Sequence, residues 1–208
     1  MNINMSAYEA ACHAAGFINV AGVDEVGRGP LAGPVVTAAV IFPIGFTNAE
    51  IRDSKKLSEG KRLKLVDVIK DSALCWHVDI GPIEEIDRIN ILQATWASMR
   101  RSVKSLSIQP DAVLVDGSPV PDLHTRCTAI VKGDDKSVSI AAASILAKVV
   151  RDQLMLDAHK DYPVYGFDRH KGYPSPVHLA ALREYGPCPL HRRSYAPVAQ
   201  AALSFDVR

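Results

Sequence analysis

Val23-Asp24-Glu25-Val26-Gly27-Arg28-Gly29-Pro30 closes a short apolar run, Phe17-Ile18-Asn19-Val20-Ala21-Gly22-Val23. Together they read as a β-strand ending in two carboxylates and a glycine-bracketed arginine. Carboxylate oxygens at a strand end suit hard cations such as Mg²⁺ or Mn²⁺. An arginine held on bare backbone can fork onto a phosphate. Metal and phosphate together point to phosphoryl-transfer chemistry. The same glycines superficially match a dinucleotide-binding loop. Such a loop must open a helix, with an acidic ribose binder about 20 residues further on. Here Pro30, Pro34 and the strand-like run Val35-Val36-Thr37-Ala38-Ala39-Val40-Ile41-Phe42 follow instead, so the dinucleotide reading is set aside.

Outward from this stretch, strands are expected at 17–25, 35–42, 73–80, 112–116 and 128–131, and helices at 58–71, 83–106, 138–160 and 175–185. Ser58 is a good N-cap with Glu59 in the first turn. In 83–106, Ile86, Ile89, Leu92, Trp96, Met99 and Val103 recur at spacings of three and four, a core-facing stripe. Strands alternating with helices make an α/β domain with a mixed sheet. The 208 residues, 48% of them hydrophobic, fill one core. The expected division is an N-terminal extension at 1–16, a main domain at 17–197 that includes a C-terminal helical part, and a tail at 198–208. A net charge of +1 requires any nucleic-acid site to be a local patch. Cys12, Cys75, Cys127 and Cys188 are scattered and read as reduced. There is no basic n-region before Arg28, and prolines and glycines interrupt the uncharged run 29–49, so a cytoplasmic protein without a membrane span is expected.

Asp24 and Asp116 each end an apolar strand, the second being Asp111-Ala112-Val113-Leu114-Val115-Asp116-Gly117. A third acidic site, Lys132-Gly133-Asp134-Asp135, follows Ala129-Ile130-Val131 and precedes an alanine-rich helix. In α/β sheets, ligands collect at the carboxyl ends of strands. Three acidic groups gathered there repel one another until cations relieve them. A lone strand-end Asp is more often a cap, and adjacent Asp24 and Glu25 split across two strand faces, so the pair by itself supplies one ligand. Positive charge appears locally at Lys55-Lys56, Lys132 and Lys136, Arg169-His170-Lys171 and Arg192-Arg193. Ser144, Lys148 and Arg151 fall on one helical stripe, a candidate for phosphate contact. Glycines at 27 and 29 bring main chain close to a sugar–phosphate backbone, where a 2′-hydroxyl can be read. In His170-Lys171-Gly172-Tyr173-Pro174 a ring stands among cations, placed to stack on a sugar or base. His170 itself reads as a surface histidine.

These segments resemble bacterial ribonuclease HII from about Ala21 to Pro197. The resemblance rests on Gly22-Val23-Asp24-Glu25-Val26-Gly27-Arg28-Gly29, Asp53-Ser54-Lys55-Lys56-Leu57-Ser58, Glu85-Ile86-Asp87 with Asn90-Ile91-Leu92, Val115-Asp116-Gly117 and Lys132-Gly133-Asp134. It continues in Ala142-Ala143-Ser144-Ile145-Leu146-Ala147-Lys148, His170-Lys171-Gly172-Tyr173-Pro174 and His191-Arg192-Arg193-Ser194. It implies a ribonuclease H-like fold, a mixed central sheet flanked by helices with a C-terminal helical extension. It implies cleavage of RNA in RNA–DNA hybrids, and 5′ to single ribonucleotides in duplex DNA, leaving 3′-hydroxyl and 5′-phosphate ends. Two divalent cations, Mg²⁺ or Mn²⁺, would be held by Asp24, Glu25, Asp116 and Asp134, with Asp24 bridging them. Gly27, Arg28 and Gly29 would read the 2′-hydroxyl and phosphates at the junction, Tyr173 would stack on the following deoxyribose, and Lys55, Ser144 and Lys148 would complete the substrate-binding set.

Asp135 beside Asp134 leaves that metal corner open to either residue, with the Lys-Gly-Asp match favouring Asp134. Ser175 stands where the family often has threonine. A ribonuclease HIII-like, hybrid-only nuclease is the nearest alternative, opposed by the 23 residues before Asp24. A resolvase-like DNA endonuclease is another, and a non-catalytic hybrid-binding module the most distant. The protein is expected to be a monomer. Residues 200–205, Gln200-Ala201-Ala202-Leu203-Ser204-Phe205, loosely match a sliding-clamp peptide, although a docked or frayed tail is the commoner origin of such a pattern.

Overall fold

Apolar strands and amphipathic helices assemble into a mixed sheet between two helical layers, seen in a computed structural model that describes residues 4–206. Residues 1–3 of the expected extension and 207–208 of the expected tail lie outside the described residues. In chain order the elements are α1 (Ala7–Ala14), β1 (Val20–Val26), β2 (Val35–Ile41), α2 (Glu59–Ser72), β3 (Cys75–Gly81) and α3 (Ile83–Lys104). They continue as β4 (Ala112–Asp116), β5 (Arg126–Ile130), α4 (Val138–Asp161), α5 (Phe167–His170), α6 (Pro176–Tyr185) and α7 (Ala196–Asp206). Short 3₁₀ turns lie at Ser54–Lys56, Gly133–Asp135 and Pro163–Tyr165. The sheet order is β3-β2-β1-β4-β5, with β1 antiparallel to β2 and parallel to β4. The expected ribonuclease H-like mixed sheet flanked by helices, with helices at the C-terminus, is therefore present.

Strand side chains alternate between faces. Val36, Ala38 and Val40 of β2 pack with Ile69 of α2 and Ala142, Ile145 and Leu146 of α4. Ala39 and Ile41 turn the other way, joining Ala21, Val23, Val113 and Val115 against Met99 and Val103 of α3. On the first face α4 lies unusually close to β1. A Cβ at Gly22 would sit 2.2 Å from the Ser139 carbonyl carbon, so only glycine admits the helix there. Ser137 caps α4 by accepting from Ile140 N. Glu9 of α1 accepts from the Ser137 and Ser139 hydroxyls, each at 2.6 Å, and from Ser139 N. The helix that carries much of the site is thus seated by a glycine below and fastened by a carboxylate at its start.

One expectation changes, and one alternative is decided. Leu92 is not part of the core stripe of α3, because the helix breaks at Asn90, whose φ is 66°. The Asn90 side chain accepts from Leu92 N and Gln93 N and restarts the helix out of phase, so Ala94, Thr95 and Ser98 face inward while Leu92 is exposed. Residues 198–206 are helical, with Val198 and Ala201 packed on Leu31 and Leu182. Among the described residues no helix is long and apolar enough to cross a membrane.

Candidate metal centre and nucleic-acid interface

Parallel pairing of β1 and β4 aligns Val23 with Val115, so Asp24 and Asp116 follow side by side at the carboxyl ends of adjacent strands. Gly22 and Asp24 share a strand face, and α4 lies against it. The Gly133–Asp135 turn, between β5 and α4, brings in the third carboxylate. One oxygen each from Asp24, Asp116 and Asp134 lies within 4.8 Å of the others. Asp116 Oδ1 accepts from Gly133 N at 2.7 Å, tying the turn to the strand end. Asp24 is only 4% exposed. Burial, then the charge of Glu25, pushes its carboxyl well above the usual range, while a hydrogen bond from Ser144 opposes the rise. Burial followed by the charge of Asp116 raises Asp134 as well.

Three oxygen donors this close, with Asp24 and Asp134 buried, fit a hard divalent cation. The cation nearest them is Lys55, whose Nζ lies 3.5 Å from Asp134 on a largely exposed side chain. Glu25 points to the other side of the strand end, 3.5 Å from the Arg28 guanidinium, and is outside the three-carboxylate group. Burial raises its carboxyl too, with Arg28 opposing. The ambiguity between Asp134 and Asp135 has a geometric answer: Asp135 turns outward to Lys56, with Nζ–Oδ1 2.5 Å.

Ser144 is 5% exposed. Its hydroxyl lies 2.9 Å from that of Ser54 and bonds Asp24, so it supports the acidic centre from beneath. Lys148 pairs with Asp152 at 2.6 Å, and Asp152 also meets Arg62 at 3.6 Å. Arg62 in turn donates to the carbonyls of Ser54 and Leu57, holding the Ser54–Lys56 turn over the centre. Neither Ser54 nor Asp152 stood out in the sequence. Ser54 lay within a quoted motif, and Asp152 follows Lys148 by one helical turn, a spacing that signals an ion pair.

The glycine loop and the tyrosine meet. A Cβ on Gly29 would lie 3.5 Å from Cε1 of Tyr173, a residue 42% exposed. Gly27 has a φ of 96°, a left-handed backbone that favours glycine. Arg151, expected on a stripe open to phosphate, and Arg192, expected in a local basic patch, are fully buried. Their donors go to backbone carbonyls, a use that residue type alone does not reveal. His170 is half-buried, not a surface residue: its ring stacks on His178 at 4.5 Å and its Nε2 meets the Tyr165 carbonyl at 2.8 Å.

A family model described as Ribonuclease HII matches residues 21–198. The chain is 56% identical over 181 residues to Ribonuclease HII of Dechloromonas aromatica, covering 87% of this chain and 92% of that protein. The crystal structure of the ribonuclease H2 from Pyrococcus horikoshii superposes with a TM-score of 0.79 at 29% identity, over 92% of this chain and all of its own. RNase HII in a PCNA:RNase HII complex from Archaeoglobus fulgidus is similar at a TM-score of 0.68 and 26% identity, over 84% of this chain and 92% of that one.

Proposed function

The chain belongs to the ribonuclease HII family, and from that premise we propose where and how it cuts. As a member it is a ribonuclease H, a hydrolase and endonuclease acting on RNA–DNA substrates. The finer reading is cleavage of RNA in hybrids and cleavage 5′ to a single ribonucleotide embedded in duplex DNA, leaving 3′-hydroxyl and 5′-phosphate ends. The observation that carries it is the convergence of Asp24, Asp116 and Asp134 within 4.8 Å, near a glycine loop whose Gly29 faces the Tyr173 ring.

Asp24, Asp116 and Asp134, with Glu25 at the rim, are the residues that would hold two divalent cations, Mg²⁺ or Mn²⁺. Bound there, such ions supply a water nucleophile at neutral pH and neutralise charge on the reacting phosphate. The chain's own groups do the rest. Ser144 orients Asp24 through its hydroxyl, and the Gly133 amide orients Asp116. Main chain at Gly27 and Gly29, with Arg28, reads the 2′-hydroxyl and adjoining phosphates, and Tyr173 stacks on the next sugar. Lys55 and Lys148 meet the phosphates from the rim. A phosphate contact from Ser144 needs the Ser54–Lys56 turn to shift, since its hydroxyl already faces Ser54. Residues 17–197 form the catalytic unit, acting as a cytoplasmic monomer.

The experiment is cleavage of a duplex carrying one ribonucleotide, with Mg²⁺, Mn²⁺ or EDTA, beside an all-DNA control. A metal-dependent cut 5′ to the ribonucleotide, absent from the control, supports the reading. Cleavage of long hybrids alone leaves the hybrid-only nuclease, and binding without any cut leaves the binding module.

A sliding-clamp contact through residues 200–205 is a second partner reading, supported by the archaeal relative in its PCNA complex and by the exposure of Leu203 on α7. Against it, α7 is docked and Phe205 packs on Gly186, with a Cβ there 3.1 Å from the ring. Loss of clamp pull-down in Leu203→Ala, which leaves that packing intact, would support the contact. Unchanged pull-down, or none for the parent, would end it.

A further inference from the structure

Among the described residues, the two largest fully buried side chains are arginines, Arg151 on α4 and Arg192 just before α7. Burying a charge is costly unless it is paired and hydrogen-bonded. Among the described residues neither arginine has a carboxylate within ion-pair distance. Carbonyl oxygens take that place. Arg192 donates from Nε to Gly33 O at 2.9 Å, from Nη1 to Arg28 O at 3.0 Å and from Nη2 to Gly27 O at 2.5 Å. Arg151 donates to Pro34 O at 3.0 Å, Ala32 O at 3.1 Å and Lys171 O at 3.0 Å. Tyr195 adds its hydroxyl, which accepts from Arg192 and donates to Arg28 O at 2.7 Å.

Five of the eight carbonyls of the 27–34 loop, those of Gly27, Arg28, Ala32, Gly33 and Pro34, are therefore turned toward one of two guanidiniums, and Lys171 O ties Arg151 to the segment carrying Tyr173. The geometry has a consequence for the outer face. In a trans peptide the carbonyl and the next N–H point in opposite directions, and no described peptide here is cis. With the carbonyls of Gly27 and Arg28 facing Arg192, the amides of Arg28 and Gly29 face away from it. Successive main-chain amides of this kind bind anions. Burial, then the neighbouring charge of Arg192, lowers Arg151 only to about 10, so it stays cationic at neutral pH. Space is also matched: a Cβ at Gly27 would fall 2.2 Å from Arg151 Nε.

We propose that Arg151 and Arg192 are positioning residues for substrate recognition, a buried cationic backing that shapes the 27–34 loop, locks it to Tyr173 and favours a phosphodiester on the loop's outer face. Neither touches substrate. The inference rests on the reading that this loop and Tyr173 grip the ribonucleotide junction, and it deepens that reading by naming what makes the grip rigid.

The test is steady-state cleavage of a duplex with one ribonucleotide by Arg192→Lys, Arg192→Gln and Tyr195→Phe, with Arg28→Ala and Tyr173→Ala alongside. Lysine keeps the charge but loses the planar fork, and glutamine loses both. Arg192→Lys is expected to raise KM about tenfold, the scale of one lost charge-assisted hydrogen bond, with a much smaller fall in kcat. Arg192→Gln is expected to raise KM further and flatten its salt dependence. Tyr195→Phe removes one hydroxyl and keeps the ring, so it reports a KM rise of about threefold even if the arginine variants fail to fold. Lower melting temperatures with KM unchanged, including in Tyr195→Phe, would reduce both arginines to structural staples and overturn the proposal while the loop reading stands. If Arg28→Ala and Tyr173→Ala also leave KM unchanged, the loop reading itself fails and the proposal falls with it.

Discussion

Replacing Gly22 by alanine should unseat α4 and misalign the acidic centre together. The added Cβ would lie 2.2 Å from the Ser139 carbonyl carbon, 2.3 Å from Ile140 N and 2.5 Å from Ser139 Cβ. Ordinary carbon contacts need about 3.5–4.0 Å, so α4 must retreat by more than about 1 Å. The obstacle is backbone on both sides, which no rotamer change relieves. Overpacking of this kind costs about 1–3 kcal/mol. At about 2–4 °C per kcal/mol for a chain of this size, the melting temperature should fall by about 2–12 °C. The functional loss should be larger. Ser144, which bonds Asp24, rides on the displaced helix, and only Lys136 and Ser137 separate the turn carrying Asp134 from its first residue. A misplacement near 1 Å can cost about 100-fold in rate, so kcat on a long RNA–DNA hybrid should fall about 10- to 100-fold. Thermal melts and initial rates on the same preparation measure both. A wild-type melting temperature would refute the close seating of α4, and a lowered one with unchanged kcat would refute the coupling of that seat to the site.

Asp24→Asn should abolish turnover while substrate binding and the fold persist. Because burial and Glu25 already disfavour the Asp24 carboxylate, the variant should melt at or above wild type without added metal, and measurable turnover would remove Asp24 from the centre. Ser144→Ala should lower kcat/KM about fivefold with little change in melting, since it frees Asp24 from a hydrogen bond worth about 1 kcal/mol; wild-type rates would show that Asp24 needs no such support. The acid limb of stability should carry the signature of His191. Burial, then His178, holds its imidazole down to about 4. The unfolded chain therefore takes up a proton first, near its unperturbed value, and stability falls as pH drops from about 6.5 toward 4. That contribution is roughly 2 kcal/mol by pH 5. The raised carboxylates of Asp24 and Asp134 act in the opposite direction but are shared by a His191→Gln variant. Denaturant midpoints from pH 7 to 5 should fall less steeply for His191→Gln than for wild type, and parallel profiles would contradict the assignment.

The sequence carries the acidic corners openly because Asp24 and Asp116 end apolar strands, where topology gathers ligands. Residue type and spacing alone do not separate Asp134 from Asp135, since one residue of rotation in a 3₁₀ turn decides it and Lys56 takes the other; only the Lys-Gly-Asp resemblance favours Asp134. The stripe expected through Leu92 assumed one continuous helical phase, and Asn90 breaks it by a left-handed backbone that no periodicity announces. Arg151 and Arg192 were hidden for a different reason. An arginine is ordinarily a solvated cation, and only the three-dimensional path of the 27–34 loop supplies the carbonyls that let two of them be buried. The sequence of the C-terminal segment leaves a docked and a frayed tail both open. Small apolar residues at Val198 and Ala201 decide it, by fitting against Leu31 and Leu182.

If Asp24, Asp116 and Asp134 form the divalent-cation centre on which cleavage depends, anomalous diffraction from crystals soaked in Mn²⁺ will locate the ions there. Manganese peaks within coordination distance of all three carboxylates, lost in Asp24→Asn crystals, are the expected result. Peaks only elsewhere on the surface, or a peak at this site that survives Asp24→Asn unchanged, would contradict it.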